Sequence, residues 1–359
     1  MIVDAEPAFR TRHANPYTAL LYEAIARRGV QVREYDRARL TRDPPDIVHV
    51  HWPELLLLSS HRGWQSWLRI RRFSAALRRA RARGARFVVT VHNDGGHESA
   101  PGVLERSLDR MLLHNLDGAL TLSAAGERAF RERFGPGIPT YRTPHGDYRG
   151  AYPLAAPRAD ARAALGIPPN ATLLVAVGQV RPYKNLLALL EATRGVPDAS
   201  LLVAVAGRPD SESTAASLRA VADRDPRMLL DLRQLDDDRL ALWLSACDAV
   251  VLPYRRILTS GSAILSLSAD RPVIVPATGS MPELAATVGP EWVHVYDGAI
   301  TSDVLVESLR WLRRGGRGDA PDLTAFDWDH IADATISAYQ HVLDRPPGGG
   351  VRHRNREGN

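Results

Sequence analysis

The chain carries 46 lysine and arginine residues, and Lys184 is the only lysine among them. It stands in VAVGQVRPYKNLLALLEA, residues 175–192, which reads as a buried strand ending at Gly178, a short loop, and a helix with apolar positions at Leu186, Leu187, Leu189 and Leu190. A glycine at such a turn lets backbone and ligand approach closely, with Gln179 beside it and two cations, Arg181 and Lys184, just beyond. In a chain that otherwise uses arginine for positive charge, the lone lysine points to a place needing a compact ammonium rather than a planar fork. The bland reading is a surface loop with two solvated charges. A second segment, Thr259-Ser260-Gly261-Ser262, opens an apolar helix after DAVVLPY, residues 248–254. Small residues at a helix start offer N–H groups and hydroxyls to an anion, although Ser and Thr also serve as plain caps.

A third group lies in the first half. DIVHVHWPE, residues 46–54, places His51, Trp52 and Glu54 at the end of a strand, and VTVHN, residues 89–93, places His92 and Asn93 at the end of another. A tryptophan beside a carboxylate suits a sugar, whose apolar face stacks on the ring while its hydroxyls are accepted by the carboxylate. His49 and His51 alternate onto one strand face. That spacing could hold a metal, but no cysteine or Asp cluster is near, so hydrogen bonding is preferred and His49 reads as a satisfied core histidine. HNDGGHES, residues 92–99, reads as a loop able to close over a ligand, and ordinary turn chemistry accounts for it as well.

Alternating strands and helices must position these residues. The first half gives a short strand at 1–4, a helix from Asn15-Pro16 to Arg28, strands at VQVREY, 46–52 and 86–92, and a helix over about 63–83. In that helix Trp67, Ile70, Phe73 and Leu77 have the spacing of a face packed on a sheet, leaving Arg69, Arg71, Arg72, Arg78, Arg79, Arg81 and Arg83 toward water. A Gly/Pro/Ala-rich stretch marks a domain boundary near 146–160. A second series follows, with strands at 172–178, 199–207 and 227–232, DAVVLPY and RPVIVPA, and a last helix over 328–343. Two such series imply two parallel sheets facing across a cleft, with ligands beyond the carboxyl ends of the strands. The expected division is 1–150, 151–326, a helix at 327–344 returning to the first domain, and a disordered tail at 345–359.

At 359 residues the chain is too long for one ordinary core, and 45% hydrophobic with 24% charged residues is a folded composition. No run of about 18 apolar residues occurs and the first residues lack a secretion-signal layout, so a cytoplasmic protein is expected. Cys247 is the only cysteine, which excludes an internal disulfide and a multi-cysteine metal site. The net charge of +5 admits nucleic acid, an anionic membrane or a phosphorylated ligand. Nucleic acid is set aside because the basic residues are not interleaved with aromatics on which bases would stack.

The ordered series G-x-x-x-P-x-K at 178–184, AVAGRP at 204–209, and DAVVLPY…RPVIVPATGSMPEL at 248–284 resembles the C-terminal half of the retaining GT-B glycosyltransferases, family 4 in particular. The resemblance implies an α/β GT-B fold of two Rossmann-like domains, acceptor-binding then donor-binding. It further implies a metal-independent hexosyltransferase that moves a sugar, with retention, from a nucleotide-diphosphate sugar to a carbohydrate, glycolipid or small-molecule acceptor. No cofactor is implied beyond that co-substrate. Arg181 and Lys184 would hold the donor phosphates, with Gly178, Gln179, Thr259, Ser260, Gly261 and Ser262 around them, and His92 would lie near the transferred sugar. His51, Trp52, Glu54 and Asn93 are the acceptor candidates. The sequence departs from the family where Gln179 replaces an arginine, and where Ile257 and Leu265 replace two glutamates, the second of which holds the ribose. Ser262 and Ser266 are candidate replacements, and Glu283 is the nearby carboxylate. The basic helix at 65–83 could reach anionic lipid at the inner face of the membrane, although a solvated surface helix is the plainer reading. Rival readings keep the fold but make the chain a nucleotide-sugar epimerase or hydrolase, or a non-catalytic subunit.

Overall fold

The computed structural model describes residues 1–58, 63–92, 102–154 and 156–346. The chain forms two compact units, residues 1–146 with the segment from Phe326 onward, and Asp147–Ala325. In the first, strands β1 (Ile2–Glu6), β2 (Gln31–Glu34), β3 (Ile47–Val50), β4 (Arg86–Val91), β5 (Gly118–Thr121) and β6 (Thr140–Arg142) form one parallel sheet. Its helices are α1 (Tyr17–Arg27), α2 (Arg37–Arg42), α3 (Pro53–Leu58), α4 (Gly63–Arg81), α5 (Gly102–Asn115) and α6 (Ala124–Phe134). In the second, β7 (Thr172–Val177), β8 (Leu201–Ala206), β9 (Met228–Asp231), β10 (Ala249–Val251), β11 (Val273–Pro276) and β12 (Val293–Tyr296) form another parallel sheet. Around it lie α7 (Arg158–Leu165), α8 (Leu186–Arg194), α9 (Glu212–Ala222), α10 (Asp237–Ala246), α11 (Gly261–Ser268), α12 (Met281–Val288) and α13 (Ser302–Arg313).

The sequences of the central strands explain the architecture. IVHV, RFVVTV, TLLVAV and LLVAVA are almost unbroken apolar runs, as strands covered by helices on both faces must be. Residues of opposite parity feed separate cores: Val48, Val50, Phe87 and Val89 pack with α4 and α5, while Val3, Ala5, Ile47 and Val88 pack with α1. The final helix, α14 (Trp328–Asp344), completes that second layer, burying Ile331, Ala332, Tyr339 and Val342 against Leu21, Tyr22 and Ile25. Arg27 and Arg28 pair with Asp329 and Asp333 at its rim, where solvent screens the pairs.

Strand order decides where ligands can sit. The sheets run β2-β1-β3-β4-β5-β6 and β12-β11-β10-β7-β8-β9. In each, the chain first moves one way from its opening strand and then returns to the other side, so direction reverses between β1 and β3 and between β7 and β10. Loops leaving the carboxyl ends of two such strands splay apart and open a crevice. The loops after β7 and β10 are those carrying Gly178 to Lys184 and Thr259 to Ser262.

Helix α4 departs from expectation at two positions. Trp67 is 45% exposed instead of packed on the sheet; it lines a groove shared with Met111 of α5, and the Arg71 guanidinium stands 4.6 Å from its ring centroid. Arg81 turns inward to Asp117 at 2.6 Å instead of facing water. The tail expected to be disordered lies outside the described residues from position 347, as does most of the loop at 92–99.

Two glycines fix the mouth of the second sheet. Gly207 ends β8 with φ +151°, and a Cβ built on it would stand 2.0 Å from the carbonyl oxygen of Gly178, itself at φ +94°. Only two bare backbones can pass so closely. Gly207→Ala should therefore destabilise the protein by more than about 2 kcal/mol, read from urea unfolding. A change within about 0.5 kcal/mol would contradict this packing.

Candidate functional site

Lys184 closes a single turn of 3-10 helix, Pro182–Lys184, and Asn185 follows in the left-handed conformation at φ +57°, which redirects the chain into α8. The turn is clamped from the β10 loop: Arg255 donates its backbone N–H to Tyr183 O at 2.9 Å and its Nε to Asn185 Oδ1 at 2.9 Å. This folds the lysine inward. Only 7% of Lys184 is exposed, and its Nζ would lie 3.3 Å from a Cβ on Gly178, with Ser262 Oγ at 3.8 Å from the same point. A side chain on residue 178 would fill that space.

The other wall is built by the start of α11. Ser260 caps the helix by accepting from the Ala263 N–H at 3.1 Å, and Tyr254 OH lies 3.3 Å from Ser260 Oγ. The Lys184 ammonium stands 5.9 Å from the centroid of the Tyr254 ring. Among the described residues no carboxylate pairs with it. Burial is the main influence on this ammonium and pulls its pKa down; Tyr183 opposes the shift and Arg181 adds to it. A desolvated cation with no counter-charge beside a helix N-terminus is a site short of one anion. Arg181 is exposed, with Nη2 donating to Gln179 Oε1 at 3.2 Å, so both sit at the rim. Thr259 is half-buried, and Glu283 lies half-buried in the first turn of α12. Gly279, at φ +56°, brings the loop before α12 against Ile257: a Cβ there would stand 1.9 Å from Ile257 O.

In the first unit, histidines from separate strands meet at the carboxyl edge of β3 and β4. His49 Nε2 lies 2.8 Å from Thr90 Oγ1, and His49 Nδ1 lies 2.8 Å from Tyr22 OH and 2.6 Å from Tyr339 OH. Tyr22 OH continues to His51 Nε2 at 2.7 Å, and His51 Nδ1 to His92 Nε2 at 3.1 Å. Trp52 stacks on His92 at 4.4 Å, and Tyr17 meets His51, His92 and His145. Burial dominates every one of these imidazoles: it holds His49 at about 3 and His145 at about 4, and pushes His51 and His92 well below the ordinary histidine value. A chain of neutral rings results, ending at His92 in a hollow also lined by Glu54, Arg133 and Phe134.

Several site expectations change on this geometry. His51 is 1% exposed with both ring nitrogens engaged, so it can act on a ligand only through His92. Trp52 already has His92 stacked against its ring. Ser266 is fully buried and donates to Ser262 O at 2.7 Å, which removes it as a ribose partner, and Leu265 is buried as well. Asn93 lies outside the described residues. His49 is a core residue, as its spacing suggested. Among the described residues no group of three His, Cys, Asp or Glu side chains converges to hold a metal ion. Tyr17, Tyr22, Thr90, His145, Tyr254 and Tyr339 were not singled out by sequence. They are scattered over α1, β4, α14 and two loops, and no local pattern marks them.

Comparison with known proteins follows the same division. No family profile matches the chain. A GDP-mannose:glycolipid 4-beta-D-mannosyltransferase of Xanthomonas campestris pv. campestris is 30% identical over 334 residues, spanning 93% of this chain and 90% of the relative. A D-inositol 3-phosphate glycosyltransferase of Mycolicibacterium gilvum is 27% identical over 194 residues, 52% of this chain and 43% of that protein. Among solved structures, sucrose-phosphate synthase from Thermosynechococcus elongatus superposes with a TM-score of 0.70 at 19% identity, covering 96% of this chain and 99% of that one. Anabaena HepE in complex with UDP superposes with a TM-score of 0.62 at 15% identity, covering 95% and 98%. These structures share the fold of two Rossmann-like sheets.

Two predictions test the electrostatics. Lys184→Met should raise the stability of the ligand-free protein by on the order of 1 kcal/mol, since it removes a desolvated charge and keeps its volume. It should also abolish the rise in melting temperature caused by a nucleoside diphosphate. A destabilised variant that still responds to the nucleotide would contradict the site. The neutral histidines set a pH dependence. Below about pH 6.5 the unfolded chain takes up protons that the folded imidazoles refuse, so stability falls as pH drops. His49→Gln should be less stable at pH 7 yet lose about 1.4 kcal/mol less per pH unit between pH 6 and 4. Parallel pH profiles in urea unfolding would show that His49 is protonated in the fold.

Proposed function

This chain belongs to the GT-B glycosyltransferases of the family 4 type, and from that premise we propose that it transfers mannose from GDP-mannose to a glycolipid acceptor. The identity with the mannosyltransferase runs through both units, so it supports the acceptor class as well as the donor. The observation that carries the reading is the buried, carboxylate-free ammonium of Lys184 beside Gly178 at the reversal point of the second sheet. Binding a diphosphate there supplies the missing negative charge. When the glycosidic C–O bond breaks, charge gathers on the departing phosphate oxygen. Lys184, Arg181 and the N–H groups opening α11 would stabilise it more in the transition state than in the bound donor. These groups supply the positive charge that a divalent ion could otherwise provide, so transfer is proposed to be metal-independent. Gly178, Gln179, Thr259, Ser260, Gly261, Ser262 and Glu283 remain the proposed donor contacts, Glu283 being the carboxylate for the nucleoside.

The anomeric course separates two readings. Family 4 resemblance implies retention, in which the acceptor attacks from the leaving-group face and His92 only orients the sugar. A β-mannoside formed from GDP-mannose requires inversion, because that donor holds mannose α-linked to its diphosphate. The β linkage in the Xanthomonas relative's name favours inversion for this chain, and inversion needs a base for the acceptor hydroxyl. His92 is the proposed base: burial keeps it neutral, and its Nε2 is held by His51, which is held by Tyr22. Glu54 and Trp52 would border the acceptor. For a glycolipid acceptor a membrane surface is a further partner, met through α4. No helix among the described residues is long and apolar enough to cross a membrane. We place the chain in the cytoplasm at the inner face of that membrane, where its single buried cysteine stays reduced.

Incubation with GDP-mannose and a membrane glycolipid extract, followed by NMR of the product, should show a new β-mannoside. An α-mannoside would establish retention, and release of free mannose without transfer would favour a hydrolase. EDTA should leave the rate within about two-fold. His92→Ala should lower kcat by about 100-fold or more with GDP binding unchanged, while Tyr22→Phe should have a smaller effect confined to kcat. A His92→Ala enzyme of normal kcat would remove the base.

A further inference from the structure

Three hydroxyls meet around the start of α11, and their protons can be counted. Ser260 accepts the Ala263 N–H at 3.1 Å, and its Oγ lies 3.3 Å from Tyr254 OH. The same phenol hydrogen-bonds the Ser262 hydroxyl. Ser260 is 6% exposed and Tyr254 4%, and neither hydroxyl has a further hydrogen-bond partner among the described residues. Two contacts absorb only two of the three hydroxyl protons, so one proton must point out of the cluster. A buried hydroxyl proton without an acceptor is costly, so the outward proton falls to the half-buried Ser262. Its Oγ would stand 3.8 Å from a Cβ on Gly178, and the Lys184 ammonium 3.3 Å from the same point. The order of donation is then fixed: Ala263 N–H to Ser260, Ser260 to Tyr254, Tyr254 to Ser262, and Ser262 toward the space beside Lys184. A backbone N–H can only donate, and it starts the chain.

We infer that Tyr254 is a positioning residue that commits the Ser262 hydroxyl to donate, and that its acceptor is a non-bridging oxygen of a bound diphosphate. An obligate donor beside an ammonium suits an oxygen that only accepts and carries charge. A sugar hydroxyl could accept as well, but it would leave the desolvated charge of Lys184, 7% exposed, unanswered. Tyr254 serves both groups, since its ring centroid lies 5.9 Å from that ammonium while its hydroxyl holds Ser262. The Ser262 rotor is thereby settled during folding, and an arriving anion does not have to order it. The inference rests on the donor reading proposed above and deepens it, by giving a role to a residue outside the proposed donor contacts.

The test is calorimetric titration of the full chain with GDP and with inorganic pyrophosphate. Tyr254→Phe keeps the ring and should weaken both ligands about five-fold, the cost of ordering one side chain on binding. Ser262→Ala removes the donor to a charged oxygen and should weaken them about thirty-fold. Because Tyr254 acts through Ser262, the double variant should bind like Ser262→Ala, within about two-fold. A tyrosine with a purely structural role would weaken binding about five-fold again in the alanine background, and that additivity overturns the inference. Wild-type affinity in Tyr254→Phe or in Ser262→Ala overturns it as well. Phenylalanine leaves the Ser260 hydroxyl without its acceptor, so the second variant is Tyr254→Phe/Ser260→Gly, in which glycine still caps the helix. It should show the same loss of about five-fold. Coupled losses for pyrophosphate with no binding of GDP to the wild type would sink the donor reading alone. Binding of both ligands that Lys184→Met abolishes and Tyr254→Phe leaves untouched would sink this inference alone. A wild type that binds neither ligand sinks both.

Discussion

A positive charge held out of water must be answered by a negative one, and the second unit of this protein is organised around a charge left unanswered. Lys184 could have been solvated by extending along the surface. It is instead folded inward by the left-handed turn at Asn185 and by the clamp from Arg255, and it comes to rest where Gly178 has no side chain. The absent Cβ, the close pass of Gly207 over Gly178, and the helix start at Gly261 all border the space beside its ammonium. On the proposed donor reading they amount to preorganisation, in which a diphosphate would meet groups already stripped of water.

The first unit solves a different problem with neutral groups. His49 and His51 are buried and His92 half-buried at the carboxyl edge of β3 and β4, where a charged imidazole would be expensive, so each is kept neutral and linked to the next through hydroxyls and ring nitrogens. Such a chain has a definite polarity, because a tautomer chosen at one ring propagates to its neighbours. Tyr339 closes the chain from α14, a helix drawn from the far end of the sequence. The C-terminal helix thus does more than cover the sheet; it supplies a hydroxyl to the network behind His92.

Departures from the family pattern become clearer in this setting. Leu265 and Ser266 both point into the body of the second unit, so neither takes over the role of the ribose-binding glutamate. Ser262 instead lies beside Lys184 and Gly178, and Glu283 stands in the first turn of α12. Ligand specificity can drift through such replacements, because a grip on phosphate would recognise charge rather than base or sugar.

Much of the fold was legible in the residues themselves. Unbroken apolar runs such as TLLVAV and RFVVTV require strands buried on both faces, which requires parallel sheets with helices on either side. The grouping of Gly178, Lys184 and the Thr-Ser-Gly-Ser helix start was legible in part too, because a glycine at a strand end and small residues at a helix start announce local backbone geometry. What sequence could not reveal depends on contacts between distant elements. Trp67 has the spacing of a core residue and is exposed, since helical periodicity says which residues share a face but not where that face ends. His51 stands at a strand end, as a ligand contact would, yet it is locked between Tyr22 and His92, partners 29 and 41 residues away. Local spacing determined the strands, the turns and the charge available to bind an anion. Tertiary packing alone decided which side chains lost water, and burial is what pulls down the proton affinity of Lys184 and of the histidines.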